Sequence, residues 1–170
     1  SGAIDVAGTS NLDVVDIDGA VDMASTLVVA STINTLGITG PKTNFANSIL
    51  ISGDAGTGTL SSADGNTGVG TGVFAALTTG DNNVAVGLNS LAAHTTGNNN
   101  TAVGKDALND NTTAANNVAV GYESLSKNTT GTSLTAIGQL SLAANTTADD
   151  NTAVGRLALY ANTTGASNTS

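Results

Sequence analysis

The 170-residue chain has no cysteine, no tryptophan and one proline, and its only aromatic residues are two phenylalanines and two tyrosines. Without cysteine, neither a disulfide framework nor a thiolate metal site can form. A globular enzyme core of this size normally uses more large side chains to fill its volume. Gly, Asn, Thr, Ala and Ser dominate instead, so the composition favours a thin, elongated and repetitive structure.

Basic residues are also scarce, since four Lys and Arg stand against 13 Asp and Glu, a net charge of -9. So few cations argue against nucleic-acid binding and against attraction to anionic membranes. No apolar run approaches the ~20 residues that span a bilayer as a helix, so we expect no membrane insertion. The chain opens on Ser1-Gly2 rather than Met, which indicates a processed form or a fragment.

One pattern repeats six times without an insertion. Aligned on the glycine that closes each Ala-Val-Gly, every copy has 17 residues and follows N-T-A-V-G-x-x-A-L-x-x-N-T-T-G-x-x. The closing glycines are Gly70, Gly87, Gly104, Gly121, Gly138 and Gly155. A short fixed period indicates stacked supersecondary units. We number the repeat positions 1 to 17 from the asparagine, and the coils 1 to 6 from residue 66.

The period fits one coil of a β-solenoid. Seventeen residues are too few for a helical hairpin and fall below the ~20 to 29 of leucine-rich repeats. T-A-V-G alternates as a strand does and Asn-Thr-Thr-Gly is turn chemistry, which predicts two strands of ~4 or 5 residues and two turns per coil. The alternative that x-x-A-L-x-x forms one helical turn stays open. Stacked at ~4.8 Å, six coils would span roughly 29 Å.

Stacking should align the residues of positions 4 and 9 into apolar columns, and the asparagines into a ladder of hydrogen-bonded amides. The predicted structural core ladder is Val69, Val86, Val103, Val120, Ile137, Val154, Leu91, Leu108, Leu125, Leu142 and Leu159. A core this thin buries little apolar surface, so we expect the chain to associate, most simply as a parallel homotrimer. The small residue at position 3 would let neighbouring backbones approach closely.

The repeat N-T-A-V-G-x-x-A-L-x-x-N-T-T-G resembles repeats of bacteriophage tail-fibre proteins. It is also similar, with a longer period, to the S-V-A-I-G repeats in the heads of trimeric autotransporter adhesins, which are trimers of left-handed parallel β-rolls. The resemblance covers about residues 66 to 170. It implies an extracellular or virion fibre that is trimeric, non-enzymatic and capable of adhesion. Adhesin heads use shorter coils, so the loops are expected to differ here.

The segment of residues 1–65 lacks the period. We expect a β-structured stalk or assembly segment there, followed by the solenoid of residues 66–170. LVVAST (Leu27 to Thr32), LGIT (Leu36 to Thr39) and SILIS (Ser48 to Ser52) are predicted strands. D-V-V-D-I-D-G-A-V-D-M-A-S-T-L also resembles the stalk segments of phage fibres, in which three chains share one β-structured core.

No pattern indicates catalysis, a cofactor or a metal. His94, the only histidine, stands at position 12, where later copies have asparagine; we interpret it as a turn substitution and not a ligand. The aspartates of D-V-V-D-I-D-G lack the calcium-loop spacing and its closing Glu, so solvated strand edges are favoured over calcium. G-V-G-T-G (Gly68 to Gly72) has no following Lys-Ser/Thr and is interpreted as structural.

The asparagines at position 12 begin Asn-Thr-Thr sequons, so they are candidate glycosylation sites; the simpler interpretation is that turns favour Asn and Thr. The candidates are Asn111, Asn128, Asn145 and Asn162. Asn99 and Asn168 also begin sequons. The threonine pairs at positions 13 and 14 admit an ice-binding array, although alternation along a strand would let only one threonine of each pair join it.

Together these observations predict a non-enzymatic structural component of an extracellular or virion fibre. One alternative is a subunit of a self-assembling, glycosylated extracellular filament, because Asn168-Thr169-Ser170 restarts the repeat and stops. The other is an ice- or glycan-binding solenoid. The expected partners are further copies of the chain and a cell-surface glycan or receptor.

Overall fold

The computed structural model describes residues 49–51 and 61–170. Most of the predicted stalk segment, including the predicted strands Leu27 to Thr32 and Leu36 to Thr39 and the aspartates of D-V-V-D-I-D-G, lies outside the described residues. Within them no helix is present, and so none is long and apolar enough to cross a membrane.

Each coil contributes one three-residue strand to a single parallel sheet. The strands are β1 (Ile49–Ile51), β2 (Thr67–Val69), β3 (Val84–Val86), β4 (Thr101–Val103), β5 (Val118–Val120), β6 (Thr135–Ile137) and β7 (Thr152–Val154). They pair in chain order from β1 to β7. The chain is therefore a parallel β-solenoid of about six turns, which confirms the all-β solenoid prediction.

The strand register follows the sequence period. From β2 to β7 each residue pairs with the residue 17 positions later, and an isolated bridge continues this spacing from Thr152 to Thr169. The first pairing differs by one, because Ile49 pairs with Thr67. Strand β1 confirms the predicted strand within SILIS. Because β1 pairs with β2, the sheet of the solenoid includes residues that precede residue 65. The division at that residue stays a prediction.

Two successive β-turns stand where a second strand was predicted. In coil 2, Ser90 N donates to Gly87 O at 3.3 Å, and His94 N donates to Leu91 O at 3.3 Å. Asn89 (φ 54°) and Leu91 (φ 51°) both adopt left-handed conformations. A positive φ at positions 7 and 9 excludes both an extended strand and a right-handed helical turn. The prediction of two strands per coil was therefore wrong, and the helical alternative fails for the same reason.

The core occupies a narrow space between the strand and these turns. Ala102 at position 3 and Leu108 at position 9 have no exposed surface, and the same positions are buried in the neighbouring coils. Of the expected leucine ladder, four members are fully buried and the last is partly buried against the core: Leu91, Leu108, Leu125, Leu142 and Leu159. Position 3 therefore points into the coil and does not mediate approach between chains.

The position-4 half of the expected core ladder lies on the outside of the coil, which corrects that expectation. Its members, which we call the valine column, are Val69, Val86, Val103, Val120, Ile137 and Val154. Five of them are 36% to 58% exposed and Val120 is partly buried. Neighbouring residues of a strand point to opposite faces. Because the alanine of position 3 faces inward, the valine of position 4 must face outward.

The narrowness of the interior explains why alanine, and not valine, is buried. In coil 1, Phe74 replaces the leucine of position 9, and Gly68 replaces the alanine of position 3. A Cβ on Gly68 would lie 2.8 Å from Val73 Cγ1 and 3.0 Å from Phe74 Cδ2. Together with Leu50 Cδ1 at 2.8 Å, these side chains leave no room even for a methyl group in coil 1. In coils that hold alanine at position 3, the two further methyl groups of a valine would overpack the same narrow interior.

Candidate functional site

Asparagines at position 1 form a buried ladder through the coils, as the sequence predicted. Asn83 Nδ2 donates to Asn66 Oδ1 at 3.1 Å, and Asn100 Nδ2 donates to Asn83 Oδ1 at 3.0 Å. Each amide also donates across the coil to the backbone carbonyl of position 15, which Asn83 does to Gly97 O at 3.0 Å. Leu134 takes the ladder position in coil 5 and is itself fully buried. These contacts hold neighbouring coils together and leave no free polar group for a ligand.

A second buried column runs along position 12 and contains His94. Leu77, His94 and Asn111 occupy this position in coils 1 to 3, and all three have no exposed surface. Nε2 of His94 lies 2.7 Å from Gly97 O, and Asn111 Nδ2 lies 3.4 Å from Nδ1. Burial lowers the pKa of the imidazole, against the opposing effect of its hydrogen bonds. His94 therefore closes a turn, as the sequence suggested, but its side chain lies in the interior of the coil.

The same column contains the candidate glycosylation sites. Asn111, Asn128 and Asn145 have no exposed surface, and Asn162 is partly buried. Asn145 Nδ2 donates to Asn128 Oδ1 at 3.1 Å and to Ala148 O at 3.1 Å. A glycan on the amide nitrogen would break these bonds and could not fit inside the coil. The interior positions of Asn111, Asn128 and Asn145 therefore exclude them as glycan acceptors in the folded chain.

The two threonine columns have different environments. At position 13, Thr95 Oγ1 donates to Thr112 O at 2.9 Å, and this contact between coils recurs along the column. The threonines of position 14, such as Thr96, are exposed in all six coils. In coils 1 to 5 only the threonine of position 14 is exposed, whereas in coil 6 both Thr163 and Thr164 are. The surface therefore carries mainly a single row of hydroxyls and not a paired array.

Charged residues gather on the turn segments of coils 3 and 4. Lys105 Nζ lies 3.0 Å from Asp106 Oδ2 and 5.3 Å from the centroid of the Tyr122 ring. Lys127 Nζ lies 3.0 Å from Asp110 Oδ2. The hydrogen bond with Asp106 raises the pKa of Lys105. Burial tends to raise the pKa of Asp106, but the hydrogen bonds from Lys105 and Asn89 outweigh it and lower that pKa. Exposed pairs of this kind stabilise a fold little, because water and salt screen them.

Beside these pairs lies an open cleft of about 300 Å³. It is lined by Asp106, Asn109, Glu123, Ser126 and Lys127. These residues stand at positions 7, 10 and 11, which vary between coils. Across residues 49–51 and 61–170, no three His, Cys, Asp or Glu side chains converge as metal ligands. The cleft offers hydrogen bonds and charge, but no paired base and nucleophile.

The valine column is the most extended apolar feature of the described surface. Its six members follow one another at the strand spacing and therefore cover roughly 24 Å. No charged residue stands at position 2 or position 4 in any of the six coils. At position 6 every side chain is exposed, and Leu88 (42%) and Tyr122 (40%) stand among polar residues and the charged Lys105 and Arg156. The uncharged strip of positions 2 and 4 is a candidate interaction surface.

The sequence located the period and the position-9 ladder, but it missed the exposed valine column and the buried His94. The sequence did contain an indication that His94 is buried, because Leu77 stands at the same repeat position and leucine is typical of a protein interior. Alternation along a three-residue strand shows which side chains share a face, but it does not show which of the two faces points into the coil.

Comparisons of the chain with protein-family models, with curated proteins and with solved structures gave no match. The resemblance to tail-fibre and adhesin repeats therefore stays a prediction from the repeat motif.

Proposed function

We propose that the chain is a non-enzymatic shaft segment of an extracellular or virion-surface fibre, in which copies pack through the valine column as a parallel homotrimer. The valine column is the observation that carries the proposal. It runs through all six coils without a charge and remains exposed in the single chain. Burying it would remove apolar side chains from water at every coil, at about 25 cal/mol for each Å² covered.

A further copy of the same chain is the partner whose spacing fits this column. Both columns repeat at the strand spacing, so each valine of one copy can meet its counterpart on another at every level of the rod. Positions 2, 4 and 6 over six coils approach the ~20 to 30 residues a side of a stable interface, with the charged Lys105 and Arg156 of position 6 at its solvated rim. The parallel, trimeric arrangement follows from the resemblance to tail-fibre and adhesin repeats.

The test compares two triple variants that place the same charges on the same three coils. One replaces the valine column as Val86→Asp, Val103→Asp and Val120→Asp. The matched control replaces exposed threonines of position 14 as Thr96→Asp, Thr113→Asp and Thr130→Asp. Mass is measured by light scattering after size exclusion, and shape by negative-stain microscopy. We expect trimeric rods for the wild type and the threonine variant, and a folded monomer for the valine variant.

Three results would contradict this proposal. A wild type that stays monomeric at high concentration would remove the self-association. Unlimited polymers would favour the filament alternative over a discrete shaft. A valine variant that remains trimeric, with unchanged circular dichroism, would show that the interface lies elsewhere on the rod.

A further inference from the structure

The side chain at position 12 is apolar in coil 1 and an amide in coil 3, and His94 stands between them in coil 2. Below it in the stack, Leu77 presents an apolar side chain; above it, Asn111 begins a run of amides. The ring has space because position 15 beside it is glycine. A Cβ on Gly97 would lie 2.7 Å from His94 Cε1, and a Cβ on Gly80 would lie 3.0 Å from Nε2.

Both ring nitrogens of His94 are already committed. A carbonyl oxygen can only accept a hydrogen bond, so the nitrogen 2.7 Å from Gly97 O must carry the proton. Nδ1 is then the acceptor for the Nδ2 donor of Asn111 at 3.4 Å. With the Asn111 amide in this orientation, a second proton on Nδ1 would set two donors against each other. The neutral imidazole is therefore the form that this interior accommodates.

The surroundings also provide no charge to balance an imidazolium. Gly80, Gly97 and Asn111 lie beside the ring, and none of them is ionisable. No carboxylate contributes to the pKa of His94; burial lowers it, and only hydrogen bonds involving Gly97 and Asn111 oppose the shift. A buried cation without a counter-ion is costly, so a proton on His94 must be linked to opening of the fold.

Asn111, the residue that contacts His94 from coil 3, is itself incompletely bonded. Its Oδ1 is buried and has no hydrogen-bond partner. In the next coil Asn128 Oδ1 accepts from Gly131 N at 3.1 Å and from Asn145 Nδ2 at 3.1 Å. Asn111 Oδ1 therefore lacks both the bond within its own coil and the bond from the following coil, so the column is fully bonded at coil 4 but incompletely bonded at coil 3, next to the histidine.

We propose that His94 and Asn111 form an acid-sensitive joint, at which protonation of the buried imidazole separates coil 2 from coil 3 while the later coils stay stacked. The joint lies within one chain and does not rest on the proposed fibre role. The folded pKa is below the ordinary value of about 6.5, so the opened chain binds more protons. The contribution of neutral His94 to the free energy of unfolding is therefore fully present above a pH of about 6.5 and is lost as the pH falls below that value.

The experiment is hydrogen–deuterium exchange at pH 7.5, 6.0 and 5.0, corrected for intrinsic exchange, combined with an NMR titration of His94. The control variant is His94→Asn, which continues the asparagine column; His94→Leu, which copies Leu77, serves if the first does not fold. In the wild type we expect protection of residues 88–113 to fall by up to about tenfold per pH unit below 6.5. Residues 135–160 should keep their protection, and the variants should show no such pH dependence.

Two results would overturn the joint. A titration of His94 at or above pH 6.5 would show that the folded interior accepts the proton. An equal loss of protection in wild type and His94→Asn would place the acid-sensitive group elsewhere. Because exchange is read segment by segment, either outcome is independent of whether the chain forms trimers.

Discussion

Asn100 and Asn83 join neighbouring coils through their side chains, because Asn100 Nδ2 donates to Asn83 Oδ1 at 3.0 Å in an interior where neither residue is exposed. Asn100 Nδ2 also reaches Ala114 O at 2.9 Å, and its Oδ1 accepts from Asn117 N at 3.1 Å. One amide therefore binds the coil before, the coil after and the far wall of its own coil. No residue without both a donor and an acceptor can make all of these contacts.

Asn100→Asp should destabilise the chain strongly. The carboxylate keeps acceptors for Asn117 N but loses the donor to Asn83 Oδ1 and to Ala114 O, and it buries a charge without a partner. We expect a loss of about 3 to 5 kcal/mol in the free energy of unfolding at neutral pH, measured by urea denaturation. Asn100→Leu is the control, because the fold already holds Leu134 at the equivalent position. It should cost less, and an aspartate variant as stable as wild type would argue against the ladder's role.

Stacked glycines at position 5 should tolerate no side chain. Gly87 has φ 127°, and a Cβ on it would lie 2.6 Å from Gly104 O. Gly155 has a similar φ of 136°, but its nearest neighbour would be Ala158 Cβ at 4.0 Å. Gly155→Ala therefore measures the backbone strain alone, about 1 to 3 kcal/mol. Gly87→Ala should cost clearly more in the same denaturation experiment, and equal costs would mean that the coils can move apart without penalty.

The leucine and valine columns should respond differently to truncation. Leu108→Ala empties a fully buried site and should cost about 2 to 5 kcal/mol at any protein concentration. Val103→Ala removes a side chain that is 36% exposed, so dilute monomer should lose only about 0.5 kcal/mol. Thermal unfolding at several concentrations checks both. A large cost of Val103→Ala in dilute monomer would mean that this valine packs inside the coil.

How far the sequence predicts this fold depends on what each residue type can reveal. The 17-residue interval predicts the register from β2 to β7, because paired residues of neighbouring strands are 17 apart there and a one-residue slip would turn each side chain to the opposite face. Alternation in V-A-V, however, is compatible with either face inward. The size of the valine side chain suggested that the valines form the core. However, the space beside Phe74 accepts only a glycine at residue 68, and the amount of space inside the coil is known only once the coil is closed. Similarly, the sequence Asn-Thr-Thr does not distinguish an asparagine in a solvated turn from one in the buried column that contains Asn128 and Asn145.

Removing one whole coil should leave a folded and shorter rod. Deleting residues 100–116 joins Asn99 to Asn117, so every later residue keeps its repeat position and position 12 then places His94 next to Asn128. The ladders close again, and the rod should shorten by about 4.8 Å. Circular dichroism and a cooperative thermal transition would report the retained fold.

Deleting residues 100–115 instead should prevent this closure. If the register is kept at the junction, Asn116 replaces Asn117 at the ladder position, Val118 takes the buried position of Ala119, and Ala119 turns towards solvent, so the narrow apolar column is overfilled there. To keep the columns, the coil would have to absorb one extra residue, as it does between Ile49 and Thr67, which pair 18 positions apart. Within the repeat such a bulge is opposed by backbone hydrogen bonds in both the strand and the turn segments of adjacent coils, as Thr101 N to Asn117 O at 2.8 Å and Leu108 N to Ser124 O at 3.0 Å. We expect the 16-residue deletion to lose the cooperative transition that the 17-residue deletion keeps. Equal behaviour of the two would mean that the columns do not hold the coils in register.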